Sequence, residues 1–369
     1  MSSASAALAL VARLSRLPGV AYVLSLSRLG WAGLVIGSTV LYAYANSTLS
    51  RKPRNNPCPP FGVVFRIMYG LLGMRLGEIV LAYTNQTKKG EEQAEQVGGT
   101  KPKTVGEPEL RVKMLPILGT LFGGNYAFMI WDEADPERRA ICVDPADPEI
   151  LLRAAKQEGL KIHMVLTTHW HWDHSGGNRT LAKAVPGLQV LAGAGERGRT
   201  PCVTRRLKDS EEVEVGSIVV RGHAVPGHTH GSMVFEVFSR KAAAGTPSSA
   251  FTGDSLFCGG CGALFECSAT TLHTSLRTLV ARLPASTRIF PGHEYTQMLL
   301  QPVATKTPRT PAERHLVEAA KAKLLECMER RARKEPSIPS TMAEELSYNQ
   351  HLLANPAQLA QMCGATDAE

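Results

Sequence analysis

The sequence predicts an α/β sandwich whose loops, at one edge of the sheets, carry metal-binding side chains. Two observations lead to this prediction. Short apolar strands bounded by glycine and proline recur along the middle of the chain, together with helical patterns. Four of these strands end at side chains of the kinds that bind metal ions, at positions 169–174, 228, 254 and 293. In such a fold the strands fix the backbone, and the loops at their ends carry the chemistry.

The densest strand end is the segment T-T-H-W-H-W-D-H at positions 167–174, which places three histidines and an aspartate within six residues. It follows the apolar run 162–166, which is typical of a buried strand, and precedes the turn sequence S-G-G-N. The first two histidines are separated by one residue, so their side chains can converge on one ion. The aspartate and the last histidine can hold a second ion. Imidazole and carboxylate suit zinc, iron or manganese.

The remaining elements follow from the hydrophobic pattern and the turn residues. Strands are predicted at 111–118, 125–131, 140–144, 189–192, 212–215, 217–220, 232–238, 250–254 and 289–291. Helices are predicted at 147–158, with Asp147 as N-cap and Gly159 as stop, and at 178–185. A longer helix at 311–334, with basic residues in its last turn, predicts a helical C-terminal cap.

Charge is unevenly distributed along the chain. The net charge is +8, from 41 Lys and Arg against 33 Asp and Glu, and eight of the basic residues precede the first acidic residue, Glu78. The rest of the chain is therefore neutral. A neutral body argues against nucleic acid as a partner, because phosphate binding needs a basic folded surface.

The basic N-terminal region has two interpretations. Its Arg- and Ser-containing, acid-free start is typical of a mitochondrial transit peptide, whereas the uncharged run 29–50 is long enough to cross a bilayer. Tyr42, Tyr44 and the following Arg51 favour a membrane anchor. We therefore expect a membrane-associated protein, with a composition that favours mitochondria. The expected regions are a targeting or anchor region at 1–83, a linker at 84–109, a catalytic domain at 110–296 and a helical domain at 297–369.

Eight cysteines are scattered without the spacing of a zinc knuckle or of a small secreted disulfide framework. This pattern favours a reducing or mixed compartment. Cys258 and Cys261 form a nominal C-x-x-C, but the strand and helix context of a redox motif is absent, so we assign it no redox function.

The motifs T-H-x-H-x-D-H, P-G-H-T-x-G, G-D-S-L-F and P-G-H-E-Y occur in that order and resemble the metallo-β-lactamase superfamily. Within it, the glyoxalase II (hydroxyacylglutathione hydrolase) branch is the most similar. The resemblance runs from about residue 112 to residue 353 and includes the C-terminal segment 339–349. It implies an αββα sandwich with a helical C-terminal cap.

The resemblance also implies seven ligands for two divalent metal ions, most readily zinc, with iron or manganese as alternatives. The first ion would be held by His169, His171 and His228, the second by Asp173, His174 and His293, and Asp254 would bridge them. Two such ions lower the pKa of a shared water, and the resulting hydroxide can attack a thioester carbonyl without a Ser or Cys nucleophile. Asp173 and Asp254 are the catalytic candidates.

Substrate contacts depart from the glyoxalase II pattern. That branch carries a lysine and an aromatic pair after G-C-G, whereas this chain has Ala263-Leu264-Phe265, and the cations beyond the C-terminal Tyr-Asn motif are also missing. Phe265 and Tyr295 remain as substrate-binding candidates. We expect hydrolysis of thioesters such as S-lactoylglutathione, with weakened glutathione binding, because each charge-assisted contact contributes on the order of 1.5–3 kcal/mol.

Two other functions stay open from the sequence. A mononuclear iron persulfide dioxygenase would use only His169, His228 and Asp254, although the R-T-D-F-like segment of that branch is absent. The loss of cationic substrate contacts also suggests a membrane-tethered protein that retains the fold without catalysis.

Overall fold

The computed structural model describes residues 103–107, 110–117 and 124–363. The predicted anchor region and most of the predicted linker lie outside these residues. Among the described helices, none is both long and apolar enough to cross a lipid bilayer.

The first sheet contains the N-terminal strands of the described chain. They are β1 (Lys103–Glu107), β2 (Leu110–Ile117), β3 (Asn125–Trp131), β4 (Arg139–Val143), β5 (Lys161–Thr167), β6 (Gln189–Gly193) and β7 (Arg205–Leu207). Spatial order equals chain order. β1 to β4 pair antiparallel, and β4 to β7 pair parallel. β3 is buried on both faces, which explains its nearly continuous apolar sequence.

The second sheet contains the remaining strands, again with neighbours in chain order. They are β8 (Glu212–Val215), β9 (Ile218–Ala224), β10 (Met233–Ser239), β11 (Ser249–Gly253), β12 (Arg288–Pro291) and β13 (Ser340–Thr341). β11 and β12 are parallel, and the other pairs are antiparallel.

Helices connect and cover the strands. They are α1 (Pro148–Glu158), α2 (Trp172–Ser175), α3 (Asn178–Ala184), α4 (Ala269–Arg282), α5 (Thr296–Ala304), α6 (Pro311–Ala332), α7 (Met342–Tyr348), α8 (Gln350–Leu353) and α9 (Pro356–Met362). The ends of α1 are those predicted. The Asp147 side chain accepts a hydrogen bond from the Ile150 amide, and Gly159 ends the helix with φ 63°, a conformation that glycine adopts without a steric penalty.

Three packed layers of apolar side chains make the body an αββα sandwich. Between the sheets, Phe128 of β3 packs against Phe251 of β11 and Phe290 of β12, with ring centroids 5.1 and 5.7 Å apart. On the outer face of the first sheet, α1 and α3 contribute Leu151 and Leu181 to a second cluster. On the outer face of the second sheet, α4 contributes to a third cluster. The predicted sandwich and its C-terminal helices are confirmed.

Two predicted boundaries differ from the structure by more than two residues. Lys103–Glu107, assigned to the linker, forms strand β1, which pairs with β2 through five residues. This segment has no apolar period of its own, so only the free edge of β2 makes it a strand. Strand β9 also continues to Ala224, four residues beyond its predicted end, because Arg221 to Ala224 pair with β10.

Candidate metal centre

The loops that carry the candidate ligands meet at one edge of the sandwich. The loop after β5 and the first turn of α2 supply His169, His171, Asp173 and His174, the β9–β10 loop supplies His228, and the ends of β11 and β12 supply Asp254 and His293. Backbone hydrogen bonds hold these loops together: Met233 N donates to the Thr168 carbonyl at 2.9 Å, and Gly292 N donates to the Gly253 carbonyl at 2.9 Å.

Glycines allow the loops to approach this closely. A Cβ atom on Gly292 would lie 2.5 Å from His174 Cε1 and 3.0 Å from Asp254 Oδ1. A Cβ on Gly253, which has φ +49°, would lie 2.3 Å from Thr168 Oγ1. A side chain at either position would therefore displace a residue of the site.

Three imidazoles form the first cluster. His171 Nδ1 lies 3.0 Å from His169 Nε2 and 3.0 Å from His228 Nε2. All three rings are buried. Burial, together with neighbouring imidazoles, keeps the pKa of His169 well below its ordinary value and that of His171 at about 3, and burial also lowers the pKa of His228. Neutral imidazoles are the form that binds a metal ion.

Hydrogen bonds on the far side of two rings fix their tautomers. His228 Nδ1 lies 2.8 Å from the Ala263 carbonyl, which can only accept, so Nδ1 carries the proton and the Nε2 lone pair faces the cluster. His169 Nδ1 lies 3.1 Å from Thr168 Oγ1, which itself donates to Asp144. His169 therefore donates through Nδ1, and its Nε2 lone pair also faces the cluster. Such convergent lone pairs repel one another unless a cation lies between them, so the cluster fits a metal ion.

The second cluster combines two imidazoles with two carboxylates. Asp173 Oδ2 lies 3.8 Å from His174 Nε2 and 3.6 Å from His293 Nε2. Asp254 Oδ1 lies 3.3 and 3.4 Å from the same two nitrogens. The other oxygen of Asp254, Oδ2, lies 3.5 Å from His228 Nε2 in the first cluster. Asp254 thus faces both clusters.

The charges of the second cluster also fit a cation. Burial would raise the pKa of Asp173 and Asp254, but the surrounding imidazoles outweigh it and lower both, that of Asp254 strongly. For His174, burial opposes protonation, but the carboxylates of Asp254, Asp173 and Asp144 outweigh it and raise the pKa to about 10. Among the described residues, His174 Nε2 has no hydrogen-bond partner, although it points at these carboxylates. Buried carboxylates that hold a proton on a neighbouring imidazole would equally stabilise a divalent ion in its place.

Three overlapping triads each have their ligand atoms within 4.8 Å of one another. They are His169, His171 and His228; His169, His174 and Asp254; and Asp173, His174 and His293. The seven side chains singled out in the sequence thus lie together, and Asp173 and Asp254 both belong to the second cluster.

Asp144 is a residue of the site that the sequence analysis did not assign. It follows β4, is 1% exposed, and accepts hydrogen bonds from Thr168 N and Thr168 Oγ1, both at 2.8 Å, and from His174 Nδ1 at 2.9 Å. It therefore orients His174 directly and His169 through Thr168. Its place at the end of a buried strand is a sequence signal it shares with the ligands, but its role depends on side-chain contacts.

Asn125 is the second residue that the sequence did not indicate. Its side-chain nitrogen donates to the carbonyl and to Oδ2 of Asp173, both at 3.2 Å. Partners of this kind fix the orientation of a metal ligand.

The two substrate-binding candidates flank opposite halves of the site. The Phe265 ring lies 4.9 Å from His228 and 5.6 Å from His171 between centroids, beside the first cluster. The Tyr295 ring stacks on His293 at 4.6 Å and 5°, beside the second. Burial raises the pKa of Tyr295, so its hydroxyl stays neutral. Ala263, the first residue after the Gly-Cys-Gly segment, is exposed.

The cysteines of the C-x-x-C sequence face different layers. Cys258 packs between the sheets, whereas Cys261 packs under α4 with its Sγ 3.8 Å from Cys363 Sγ. Cys258 and Cys261 therefore do not face a common site.

Comparison with known proteins places this site in a family. The sequence pattern of the metallo-beta-lactamase superfamily matches residues 120–293. The chain is 40% identical over 245 residues to the hydroxyacylglutathione hydrolase of Gloeobacter violaceus, covering 66% of this chain and 90% of that protein. It is 39% identical over 245 residues to the hydroxyacylglutathione hydrolase-like protein of Mus musculus, covering 66% and 80% of the two chains.

A crystal structure of a metallo-beta-lactamase from Staphylococcus aureus shares the fold, with a TM-score of 0.50 and 20% identity over 73% of this chain and 67% of that one. The His and Asp clusters agree with the binding of two metal ions in this family. The chain therefore belongs to the metallo-β-lactamase superfamily, as a hydrolase of the glyoxalase II-like branch.

Proposed function

We propose that this chain hydrolyses acyl thioesters, with S-lactoylglutathione as the reference substrate and lactate and glutathione as its products. The observation that carries the proposal is the pair of adjoining clusters that share Asp254, which faces His228 at 3.5 Å on one side and His174 at 3.3 Å on the other. Two divalent ions bound there would supply a hydroxide at neutral pH and stabilise the negative charge that develops on the carbonyl oxygen.

The chain's own residues would orient the reacting groups. Asn125 donates one hydrogen bond to the backbone carbonyl of Asp173 and one to its Oδ2, so the carboxylate has a fixed direction towards His174 and His293. Asp173 can accept a hydrogen bond from the attacking water and keep its lone pair directed at the carbonyl carbon. Because a thiolate is a good leaving group, no side-chain nucleophile is required.

The rim of the site favours an apolar substrate portion. Phe265 and Tyr295 offer ring faces beside the two clusters. Ala263 and the residues beyond Tyr348 supply no cation in place of those of glyoxalase II. Each missing charge-assisted contact lowers the affinity for an anionic tripeptide by a free energy on the order of 1.5–3 kcal/mol. We therefore propose that thioester chemistry is retained while glutathione is bound weakly.

Zinc is the proposed metal, since three imidazoles in one cluster and a mixed imidazole and carboxylate set in the other suit it, with iron or manganese as alternatives. Elemental analysis of protein purified without chelators should give about two ions per chain. One ion or none would contradict the dinuclear proposal.

The second cluster also argues against the persulfide dioxygenase, which needs only His169, His228 and Asp254. Asp173, His174 and His293 would then be three buried ligands without an ion. Oxygen consumption in the presence of glutathione persulfide would favour the dioxygenase. Relatedness to hydroxyacylglutathione hydrolases likewise argues against a protein without catalysis.

The decisive experiment is an assay of the full-length protein, loaded with metal, against S-lactoylglutathione and against the same acyl group on N-acetylcysteamine, a neutral thiol. We expect release of free thiol from both thioesters and a high KM for the glutathione compound. Asp254→Asn should abolish release, whereas Asp209→Asn, an exposed carboxylate in a surface ion pair with Arg282, should not. A wild-type protein that releases no thiol from either compound would refute the proposal.

Membrane attachment is a separate proposal that rests on the composition of residues 1–83, with the uncharged run 29–50 as the anchor and a mitochondrial membrane as the favoured location.

A further inference from the structure

Glu266, the residue that follows Phe265, connects several loops at the rim of the site. Its Oε1 accepts a hydrogen bond from Trp170 Nε1 at 2.9 Å, and its Oε2 accepts from the His230 amide at 2.7 Å and from Arg199 Nη2 at 2.9 Å. Arg199 Nη1 donates to Oε1, so the ion pair between Arg199 and Glu266 is bidentate. These donors belong to the loop after β5, the β9–β10 loop and the segment after β6.

The same contacts keep Glu266 ionised. Burial would raise its pKa, but Arg199, the His230 amide and Trp170 outweigh burial and lower the pKa to about 2. The side chain of Glu266 is 14% exposed, whereas that of Arg199 is 35% exposed, so the carboxylate is the inner partner of the pair.

The ion pair adjoins two aromatic side chains that touch the metal ligands. The guanidinium of Arg199 lies over the Trp170 ring, with Cζ 4.7 Å from the centroid. The Trp170 ring in turn lies 4.8 Å from the ring of His171, which Phe265 contacts from its own loop. The side chains of Trp170 and Phe265 are both partly exposed, so they form part of the wall that a substrate would meet.

The guanidinium of Arg199 already contacts acidic side chains of the protein. Besides Glu266, its Nη2 atom lies 3.6 Å from Glu196 Oε2. The negative charge of Glu266 balances the positive charge of Arg199, so this wall offers an anionic substrate group no excess of positive charge.

We infer that Arg199 and Glu266 are positioning residues that set the specificity of the site by holding Trp170 and Phe265 in place, and that Arg199 does not itself bind the substrate. The substrate class that fits this wall is a thioester whose thiol half is uncharged and partly apolar. The inference deepens the proposed thioester hydrolysis and rests on it.

The test uses full-length Arg199→Ala, Arg199→Lys and Glu266→Gln proteins and the glutathione and N-acetylcysteamine thioesters of lactate. Removal of Arg199 leaves Glu266 without its counter-charge and loosens Trp170 and Phe265. The KM for the neutral thioester should rise about fivefold, equivalent to about 1 kcal/mol, with kcat changed less than twofold. Arg199→Lys should recover part of the loss, because lysine keeps the charge but lacks the planar fork.

Glu266→Gln should raise the KM for the neutral thioester to a similar extent, and the double variant should be no worse than either single one, because both act through the same contact. Arg282→Ala is the matched control. It removes an ion pair of 2.7 Å with Asp209 on the surface, and it should leave both KM values unchanged. Melting temperature and metal content of each variant show whether a change reflects loss of the fold.

A second readout does not depend on activity. The indole N–H proton of Trp170, assigned by its loss in Trp170→Phe, donates to a carboxylate, and its resonance should shift upfield in Glu266→Gln.

Three results would overturn the inference: a KM that rises in Arg199→Ala only for the glutathione thioester, which would make Arg199 a direct anion contact; KM values that do not change at all; or loss of metal from the folded variant. If the wild-type protein hydrolyses neither thioester, the proposed function is wrong, and the indole resonance alone tests whether Glu266 holds Trp170.

Discussion

Replacing Asp144 by asparagine is the most direct test of how the second cluster is held. Asp144 accepts three hydrogen bonds, two from Thr168 and one from His174 Nδ1. The amide of asparagine has only one accepting oxygen, so at least one donor loses its partner, and the negative charge beside His174 disappears. Loss of such an outer partner lowers metal affinity by about 10- to 100-fold, which corresponds to about 1.4–2.7 kcal/mol at the second site.

The assay is a competition titration of the metal-free, full-length chain with Zn²⁺ against a fluorescent chelator. The wild-type protein should bind two zinc ions, and Asp144→Asn should keep the first while binding the second more weakly. The first site should change less, because His169 is connected to Asp144 only through Thr168. Asp144→Ala should weaken zinc binding at the second site at least as much, since the alanine side chain cannot accept a hydrogen bond.

Asp132→Asn is the matched control. Asp132 is as buried as Asp144, at 2% against 1% exposure, but its partners are Ser217, Lys241 and the Ala134 amide. This variant should lose some thermal stability and bind zinc like the wild type. If Asp144→Asn binds both zinc ions with the affinities of the wild-type protein, the role that we assign to Asp144 is refuted.

Three further outcomes are expected. Ala263→Lys should lower the KM for S-lactoylglutathione by about tenfold with little change in kcat, because it restores one charged contact at an exposed position; an unchanged KM would show that this position does not meet the glutathione moiety. Burial raises the pKa of Glu196 to about 7, from an ordinary value of 4.5, so the folded state holds a proton that the unfolded state releases, and stability falls as pH rises from about 4.5 through 7. Glu196→Gln removes this dependence. The melting temperature of the variant minus that of the wild type should therefore increase between pH 5 and pH 8, and the matching change in unfolding free energy is at most about 3 kcal/mol. A difference in melting temperature that does not change with pH would contradict the pKa shift. The full-length protein should remain in the pellet after alkaline carbonate extraction if residues 29–50 form an anchor, and release into the supernatant would exclude one.

The sandwich was predictable because its strands carry strong local signals. β3 and β5 are apolar runs, and α1 has an aspartate cap and a glycine stop that act within a few residues of the chain. Strand β1 was not predictable, because Lys103–Glu107 has no apolar alternation and becomes a strand only by pairing with β2. The extension of β9 depends in the same way on its partner β10.

The candidate ligands were visible in the sequence because metal binding needs particular side chains at strand ends, and few other functions need that combination. The sequence by itself therefore determined the fold class, the family and the seven ligand positions to test. The tertiary structure alone decided which residues support them: Asp144 lies 30 positions from His174, and Glu266 lies 67 from Arg199 and 96 from Trp170. No local signal assigns these acidic residues their partners, because the hydrogen bonds that define their roles exist only after the two sheets have packed and brought the loops to one edge.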